Sequence, residues 1–268
     1  MSHGFTAAAK KHLGQNFLHE RGVIAKIVQA IDPRPGDVLV EIGPGQGALT
    51  FPLLDRHGEL TAIEFDRDLH APLQAAAAAH GRLHLIAGDV LGVDFSALAV
   101  RGGDARGQIR LLGNLPYNLS SPILFHALDH AGAIRDMHFM LQKEVVERMA
   151  AGPGSKVYGR LSVMLQAYCA VTPLFTVPPG AFRPAPKVDS AVVRLVPKPA
   201  DAIAVRDREV FAAVVRAAFG QRRKTLRNAL QGVADGAAIA AAGLRADARA
   251  EQVPVAGFVA LANALPRA

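Results

Sequence analysis

The chain has 268 residues, half of them hydrophobic, and carries a formal net charge of +7 at pH 7. This composition excludes a disordered tail or a fibre and predicts a globular protein with one large domain, or with one large and one small domain. The single cysteine, Cys169, excludes a disulfide framework within the chain, and the apolar runs are too short to span a bilayer, so we expect a cytoplasmic protein without a membrane partner.

The first part of the chain alternates between two kinds of segment. From about residue 38 to residue 142 the β-type runs are VLVEIG, LTAIEFD, LHLIAGD, IRLLGNLP and MHFMLQ, with helical periodicity between several of them. Strands that alternate with helices form a parallel sheet with helices on both faces. The nearly continuous apolar strands agree with this, because such a sheet is covered on both sides. The sequence therefore predicts an α/β fold.

The rest of the chain predicts a second, helical part. After the Gly/Pro-rich stretch GPGSKVYG come a helix at Leu161–Ala170, the segment LFTVPPGAFRPAPKVDS and a strand, AVVRLVP. From about Asp201 the chain is rich in Ala and Arg and has helical periodicity. We therefore predict a first domain over residues 1–200 and a small all-helical domain over residues 201–268.

A glycine-rich turn, VEIGPGQGALT, closes the first strand of the predicted sheet. Gly43 and Gly45 permit positive φ angles and let a ligand approach the backbone at the open end of the sheet. The spacing also satisfies the looser dinucleotide fingerprint, so the turn by itself does not name a cofactor. Glu41 precedes the first glycine, where a carboxylate opposes a pyrophosphate but suits S-adenosylmethionine, which carries an ammonium and a sulfonium group.

Acidic residues also end the next two strands. Glu64 lies about twenty residues after Gly43, where a carboxylate accepts the ribose hydroxyls of an adenosine. Asp89, in AGDV, is placed to accept a hydrogen bond from an adenine amine. The alternative for each acid is a solvated strand end or a helix N-cap, and we expect Asp66 and Asp68 to cap the next helix.

The fourth strand runs into the sequence NLPY. An exocyclic amine of a base is a poor nucleophile, and two acceptors for its N–H groups favour a pyramidal nitrogen and stabilise the developing positive charge. Asn114 offers a side-chain carbonyl, Leu115 offers a backbone carbonyl, and Pro116 fixes the direction of the latter. Tyr117 offers a flat face on which the base stacks. The alternative is an ordinary turn before a helix, with Ser121 as its N-cap.

Several motifs together resemble one family. The chain contains, in order, KKHLGQNFLHE, VEIGPGQGALT, IEFDRDL, GNLPYNLSSP, MHFMLQKEVVERM, YGRLSVMLQAY, AFRPAPKVDSAVVRL and QRRKTLRNAL. From about Lys10 to Arg227 their order and spacing resemble the bacterial small-subunit ribosomal RNA adenine dimethyltransferase family. The resemblance implies a Rossmann-like S-adenosylmethionine-dependent methyltransferase domain followed by a small helical domain. It also implies four methyl transfers to N6 of two adjacent adenosines in the 3′-terminal hairpin of 16S ribosomal RNA, on a pre-30S particle late in small-subunit biogenesis.

The resemblance also implies roles for the residues at matching motif positions. Phe182, in AFRPAPKVDS, would face Tyr117 across the target base, because an extruded base needs two stacking faces. Without the family, an aromatic residue in this segment is expected to be a loop residue tucked onto the core. No metal is implied. The implied cofactor-binding residues are Asn16, Leu18, Gly43, Gly45, Glu64, Asp89 and Asn114.

A basic run predicts an RNA-binding surface. Between Val210 and Ala234 the chain has five basic residues and no acidic one, and QRRKTLRNAL predicts a helix start whose arginines hold phosphates. The alternative is a solvated surface. Contacts of this kind position an RNA but do not select the adenosine. The predicted RNA-binding residues are Lys10, Lys11, Arg222, Arg223, Lys224 and Arg227.

Three other functions stay open at this point. A related family methylates an adenosine of large-subunit ribosomal RNA and confers macrolide resistance, although GQNFL, NLPYNLSSP and QKEVVERM look nearer to the small-subunit group. A non-catalytic nucleic-acid-binding assembly factor is the second alternative, and the intact set of Asn114, Tyr117, Glu64 and Asp89 argues against it. An NAD-dependent dehydrogenase is the third. We expect the chain to act as a monomer.

Overall fold

The computed structural model describes residues 7–102, 104, 106–221 and 223–267. Their contacts form two compact units. Of the described residues, the first unit contains those up to Val146 together with Thr172–Pro197, and the second contains Glu147–Val171 and those from Lys198 onward. Residues 147–171, which the sequence pattern places in the first domain, therefore belong to the second unit.

Within the described ranges, the first unit is built on a sheet of seven strands. The strands of the chain are β1 (Phe17–Leu18), β2 (Leu39–Ile42), β3 (Glu59–Glu64), β4 (Arg82–Ala87), β5 (Ile109–Asn114), β6 (Ile134–Gln142), β7 (Cys169–Val177), β8 (Phe182–Arg183) and β9 (Ser190–Pro197). The order across the large sheet is β4-β3-β2-β5-β6-β9-β7, and β1 pairs with β8 in a small antiparallel ladder. Strands β2 to β6 pair in parallel, whereas β9 is antiparallel to β6.

Helices alternate with the parallel strands and continue beyond them. They are α1 (Arg21–Ile31), α2 (Thr50–His57), α3 (Arg67–Ala77), α4 (Phe95–Gly102), α5 (Ser120–Asp129), α6 (Lys143–Ala150), α7 (Arg160–Tyr168), α8 (Arg208–Gly220), α9 (Leu226–Ala229), α10 (Gly236–Ala241) and α11 (Val255–Ala264). The alternation of β2–β6 with α2–α5 confirms the α/β fold and the five strands that the sequence predicts. The region after residue 201 is helical, as predicted.

The centre of the sheet explains where a ligand site is expected. Every residue of β2 and five of the six residues of β5 are buried, as the apolar runs predict for strands covered on both faces. Strand β2 lies between β3 and β5, so the chain winds to opposite sides of it. Ligands of such sheets bind outside the carboxyl ends of the strands at this switch point. Ile42, Glu64 and Asn114 end β2, β3 and β5 at that edge.

Strand β7 was missed by the sequence pattern, as were the two-residue strands β1 and β8. The predicted helix at Leu161–Ala170 ends at Tyr168, and the following residues, Cys169–Val177, form β7. Strand β7 pairs with β9, which would otherwise present unpaired backbone groups at the edge of the sheet. Its sequence, CAVTPLFTV, is rich in residues that favour strands, and its proline is tolerated because β7 lies at the edge of the sheet.

The start of α5 also differs from the prediction. The helix begins at Ser120, so Ser121 is not its N-cap. The Ser120 hydroxyl instead donates to the carbonyls of Pro116 and Tyr117, at 3.2 and 3.1 Å. These bonds reach back from the first helical turn and fix the turn that contains Tyr117.

The second unit has its own aromatic core. Phe211 of α8 and Phe258 of α11 are fully buried, and the ring of Tyr168 meets Phe211 edge-on with 6.1 Å between the ring centroids. The Tyr158 hydroxyl donates to the Val253 carbonyl at 2.9 Å. Among the described residues of both units, no helix is long and apolar enough to cross a membrane.

Candidate active site

A cavity of about 200 Å³ lies at the carboxyl edge of the sheet. The ends of β2, β3, β4 and β5 form one side of its wall, and residues 12–18 form another. Leu115 and Tyr117 of the predicted catalytic set line the cavity, whereas Phe182 does not. The residues predicted to bind the cofactor all line it, namely Asn16, Leu18, Gly43, Gly45, Glu64, Asp89 and Asn114.

The glycine turn after β2 is fixed to the neighbouring strand. Gly43 and Gly45 have φ angles of 67° and 57°, in the left-handed region that favours glycine. A Cβ atom at Gly45 would lie 3.1 Å from the ring of Phe17. The Gly43 N–H donates to the Ile63 carbonyl at 2.9 Å. The turn therefore needs glycine both for its backbone angles and for its close approach to the N-terminal segment.

The Glu64 carboxylate is held between this turn and the next helix. Its Oε2 atom accepts the Gly45 N–H at 3.1 Å, and its Oε1 atom accepts the Asp66 N–H at 2.7 Å. Burial raises the pKa of Glu64, and the two N–H groups oppose this effect. A carboxylate has about four acceptor positions, so capacity remains for the hydroxyls of a ribose.

Asp89 and Asp66 both cap helical turns. Asp66 accepts the Asp68 N–H at 3.2 Å at the start of α3, so its predicted cap is confirmed. Asp89 uses Oδ1 to accept the Leu91 N–H at 3.0 Å, and its side chain is exposed at the cavity. The capping alternative therefore holds for Asp89, and its second carboxylate oxygen stays available for an adenine amine.

Phe65 is a cavity residue that sequence reasoning missed. It follows Glu64 directly, lines the cavity and has 60% of its surface exposed. A large aromatic side chain in this position offers a face for an adenine ring next to a carboxylate that suits a ribose. The available signal was the unexplained aromatic residue within IEFD.

Glu41 is a buried acid in the wall of the cavity. Its side chain is only 2% exposed, and Oε2 accepts the Thr50 hydroxyl at 2.6 Å. Burial raises the pKa of Glu41 to about 8, with a further contribution from the charge of Glu64. A cationic ligand beside Glu41 would favour the ionised form and so lower this pKa.

Exchange of Glu41 for Gln tests this burial. The folded-state pKa of Glu41, about 8, exceeds its ordinary value of 4.5. Between these two values the unfolded chain loses the Glu41 proton and the folded chain keeps it, so the folded state is most stable below the ordinary pKa and loses stability as the pH rises towards 8. In the cofactor-free protein, we expect the free energy of unfolding to fall over this range by on the order of 5 kcal/mol more than in Glu41→Gln. Denaturant titrations at several pH values measure the difference, and parallel pH profiles would contradict it.

Lys10 is engaged with acids of its own unit. Its Nζ atom lies 2.5 Å from Asp66 Oδ1 and 2.6 Å from Asp68 Oδ2. Gln15 also donates to Asp66, at 2.8 Å. Two carboxylates at the start of α3 therefore bind the Lys10 ammonium group, and contact of Lys10 with RNA stays a prediction. Together these contacts fix the segment that lines the cavity.

The NLPY turn leaves two acceptors without partners. Asn114 Nδ2 donates to the Asn16 carbonyl at 3.0 Å, and the Leu115 N–H donates to the Met140 carbonyl at 3.1 Å. Among the residues that the structure describes, neither Asn114 Oδ1 nor the Leu115 carbonyl accepts a hydrogen bond. Tyr117 lines the same cavity with a partly exposed ring. The turn thus combines two acceptors with an aromatic face.

Phe182 is a core residue in this structure. Only 2% of its surface is exposed, and it belongs to the hydrophobic core with Leu18 and Val192. Neighbouring side chains of a strand point to opposite faces, and in β8 it is Arg183 that is exposed. The prediction that Phe182 faces Tyr117 as a second stacking wall is therefore wrong for this conformation, because pairing of β8 with β1 turns its ring inward.

The predicted basic residues of the second unit lie in and beside a turn. Arg223, Lys224 and Arg227 are exposed, and α9 is a single short turn of helix that begins after Thr225. The helix therefore starts after Thr225, so Arg223 and Lys224 precede it and Arg227 lies within it. Arg222 lies outside the described residues, as does the side chain of Lys11.

Residues 6–266 match the family model described as "Ribosomal RNA adenine dimethylase". The chain belongs to this family. It is 70% identical over 98% of both chains to "Ribosomal RNA small subunit methyltransferase A" of Xanthomonas campestris pv. campestris strain 8004. A dimethyladenosine transferase of Plasmodium falciparum has the same fold, with a TM-score of 0.78 and 24% identity over 91% of this chain and 95% of that one. The 23S rRNA methyltransferase ErmE gives a TM-score of 0.68 and 25% identity over 93% and 99%.

Membership of this family makes the protein a methyltransferase that uses S-adenosylmethionine to dimethylate adenine in ribosomal RNA. The donor set of the cavity fits that cofactor, because the buried acids Glu41 and Glu64 oppose a pyrophosphate and suit a cationic methionine end and a ribose. Within the ranges described, no group of three or more His, Cys, Asp or Glu side chains is arranged to hold a metal ion.

Proposed function

We propose that the substrate is the 16S ribosomal RNA of a pre-30S particle, at two adjacent adenosines of its 3′-terminal hairpin. The observation that carries this is 70% identity, over nearly the whole chain, to relatives named for the small ribosomal subunit, against 25% to an enzyme named for 23S ribosomal RNA. We further propose that the protein acts as a monomer in the cytoplasm.

The cavity supports a specific placement of the cofactor. Glu64 would accept the ribose hydroxyls, the free oxygen of Asp89 would accept the adenine amine, and Phe65 would cover the adenine ring. The methionine end would lie at Gly43, with Glu41 below it. When bound there, S-adenosylmethionine supplies an electrophilic methyl group, and the chain supplies the alignment.

The target amine would be activated by the NLPY turn. Asn114 Oδ1 and the Leu115 carbonyl would accept its two N–H hydrogens, and this would stabilise the positive charge that develops as the nitrogen attacks. The bond from Asn114 Nδ2 to the Asn16 carbonyl supports this role, because it leaves Oδ1 as the free end of the amide. Tyr117 would carry the extruded base on its ring.

The second unit would hold the RNA backbone. Its exposed cations, Arg223, Lys224 and Arg227, suit phosphate oxygens and carry no base specificity. Selection of the adenosine would then depend on which base the particle presents to the cavity.

Methyl incorporation into isolated particles tests this proposal. Immature small subunits, mature large subunits and free 16S RNA, all from a strain without the modification, would be incubated with the protein and tritiated S-adenosylmethionine. We expect label only in the small subunit, at two adjacent adenosines. Label only in the large subunit would contradict the proposal that 16S RNA is the substrate. Equal label in free 16S RNA would contradict the proposal that the protein acts on a pre-30S particle. Sedimentation equilibrium should give the mass of one chain, and a dimer mass would contradict the monomer.

A further inference from the structure

The Tyr117 hydroxyl is bonded to a buried serine of another strand. It lies 2.7 Å from the Ser190 hydroxyl oxygen. Ser190 is the first residue of β9, is fully buried and stands opposite Gln142 at the end of β6. A buried hydroxyl without a partner is costly, so the pair is favoured over a state in which Tyr117 turns away. Burial also raises the pKa of Tyr117, so its hydroxyl keeps the proton.

The bond to Ser190 holds the hydroxyl end of the Tyr117 side chain, while the backbone end is held by Ser120. The backbone of Tyr117 is held by the Ser120 hydroxyl, which donates to its carbonyl at 3.1 Å. With its hydroxyl on Ser190, the ring cannot swing out of its place at the cavity without breaking the bond. Because the hydroxyl is occupied, the ring meets a base through its face and not through its polar tip.

We propose that Ser190 is a positioning residue for methyl transfer, which holds the Tyr117 ring in the place where the target adenine stacks. This inference rests on the proposed role of Tyr117. It assigns a function to the serine of PKVDS, which is otherwise only a strand residue. Since Phe182 is buried, Tyr117 is the stacking face of the predicted pair, and its orientation matters correspondingly more.

A double-mutant cycle tests the proposal from both ends of the bond. The variants are Ser190→Ala, Tyr117→Phe and the two combined, with kcat and the KM for S-adenosylmethionine measured on immature small subunits. Loss of one hydrogen bond corresponds to a kcat about ten-fold lower in each single variant, with that KM unchanged. The double variant should be no slower than either single one, because both remove the same bond.

Two further variants separate this proposal from a structural effect and from failure of the proposed function. Ser162 is equally buried and donates to the Arg148 carbonyl, so Ser162→Ala should lower the melting temperature and leave kcat unchanged. Wild-type kcat in Tyr117→Phe, additive losses in the double variant, or an equal kcat loss in Ser162→Ala would each overturn the role of Ser190. If Tyr117→Ala is also fully active, the stacking role of Tyr117 itself is wrong.

The stacking step has its own signal. The chain contains no tryptophan, so 2-aminopurine at the target position of a small-subunit hairpin reports on the base with little background from the protein. We expect the parent protein to quench its fluorescence by stacking, and Tyr117→Phe and Ser190→Ala to quench it less. Quenching equal to that of the parent in both variants would overturn the proposal.

Discussion

Replacement of Asn114 by Ala is expected to lower kcat for methyl transfer about 100- to 1000-fold, the effect of removing one group that stabilises charge in a transition state. The reason is that Oδ1 of Asn114, like the Leu115 carbonyl, accepts no hydrogen bond from the residues that the structure describes and so stays available to the amine. RNA affinity should stay within a few-fold, because the predicted phosphate contacts lie elsewhere in the chain. Single-turnover methylation and filter binding measure the two effects separately.

A matched control separates activation of the amine from loss of a backbone hydrogen bond. Asn263 also donates its Nδ2 atom to a backbone carbonyl, that of Ala204, at 2.7 Å, but it does not line the cavity. Asn263→Ala should therefore keep the parent kcat. Unchanged turnover in Asn114→Ala, or an equal loss in both variants, would remove the basis for the amine-activation account.

The second large effect concerns a buried ion cluster in the first unit. Arg110, 4% exposed, forms two hydrogen bonds with Asp136, at 2.9 and 3.1 Å, and one with Asp37 at 2.7 Å. It also donates to the Ile31 carbonyl at 2.6 Å. Burial alone would raise the pKa of Asp136, but hydrogen bonds from His138 and Arg110 hold it below its ordinary value. Removal of the guanidinium would take two hydrogen bonds from the buried Asp136, whereas Asp37 would keep its ion pair with Arg135 at 2.5 Å.

We expect Arg110→Met to lower the free energy of unfolding by about 3–5 kcal/mol, the range for breaking one side of a buried ion pair. Arg56 is the matched control, since it pairs with Asp32 at 3.0 Å but is 45% exposed. Arg56→Met should cost less than about 1 kcal/mol. Urea denaturation of both variants at neutral pH measures this, and similar losses in the two would contradict a structural role specific to the buried cluster.

Much of the first unit could be predicted from local sequence. Strands β2 to β6 follow from apolar runs, and the positions of Glu64 and Asn114 at the cavity follow from where those runs end. The positions of the glycines follow in the same way, because a strand-to-helix turn needs positive φ angles. These features depend on residues close together in the chain.

Several of the features that were missed depend on residues far apart in the chain. Strand β7 forms on β9, Lys10 pairs with acids at the start of α3, and Phe182 turns inward because β8 pairs with β1. The Arg110 cluster could have been suspected, since an arginine in a buried strand requires acidic partners. The identity of those partners required the three-dimensional structure.

Methyl mapping of ribosomal RNA in cells tests most directly whether this site dimethylates two adjacent adenosines. Small-subunit RNA would be sequenced by mass spectrometry from a strain lacking the gene, and from the same strain carrying either the parent gene or Asn114→Ala. We predict that both adenosines of the 3′-terminal hairpin are unmodified without the gene, are dimethylated with the parent gene and stay unmodified with Asn114→Ala. Dimethylation that persists without the gene, or that Asn114→Ala restores in full, would contradict the account.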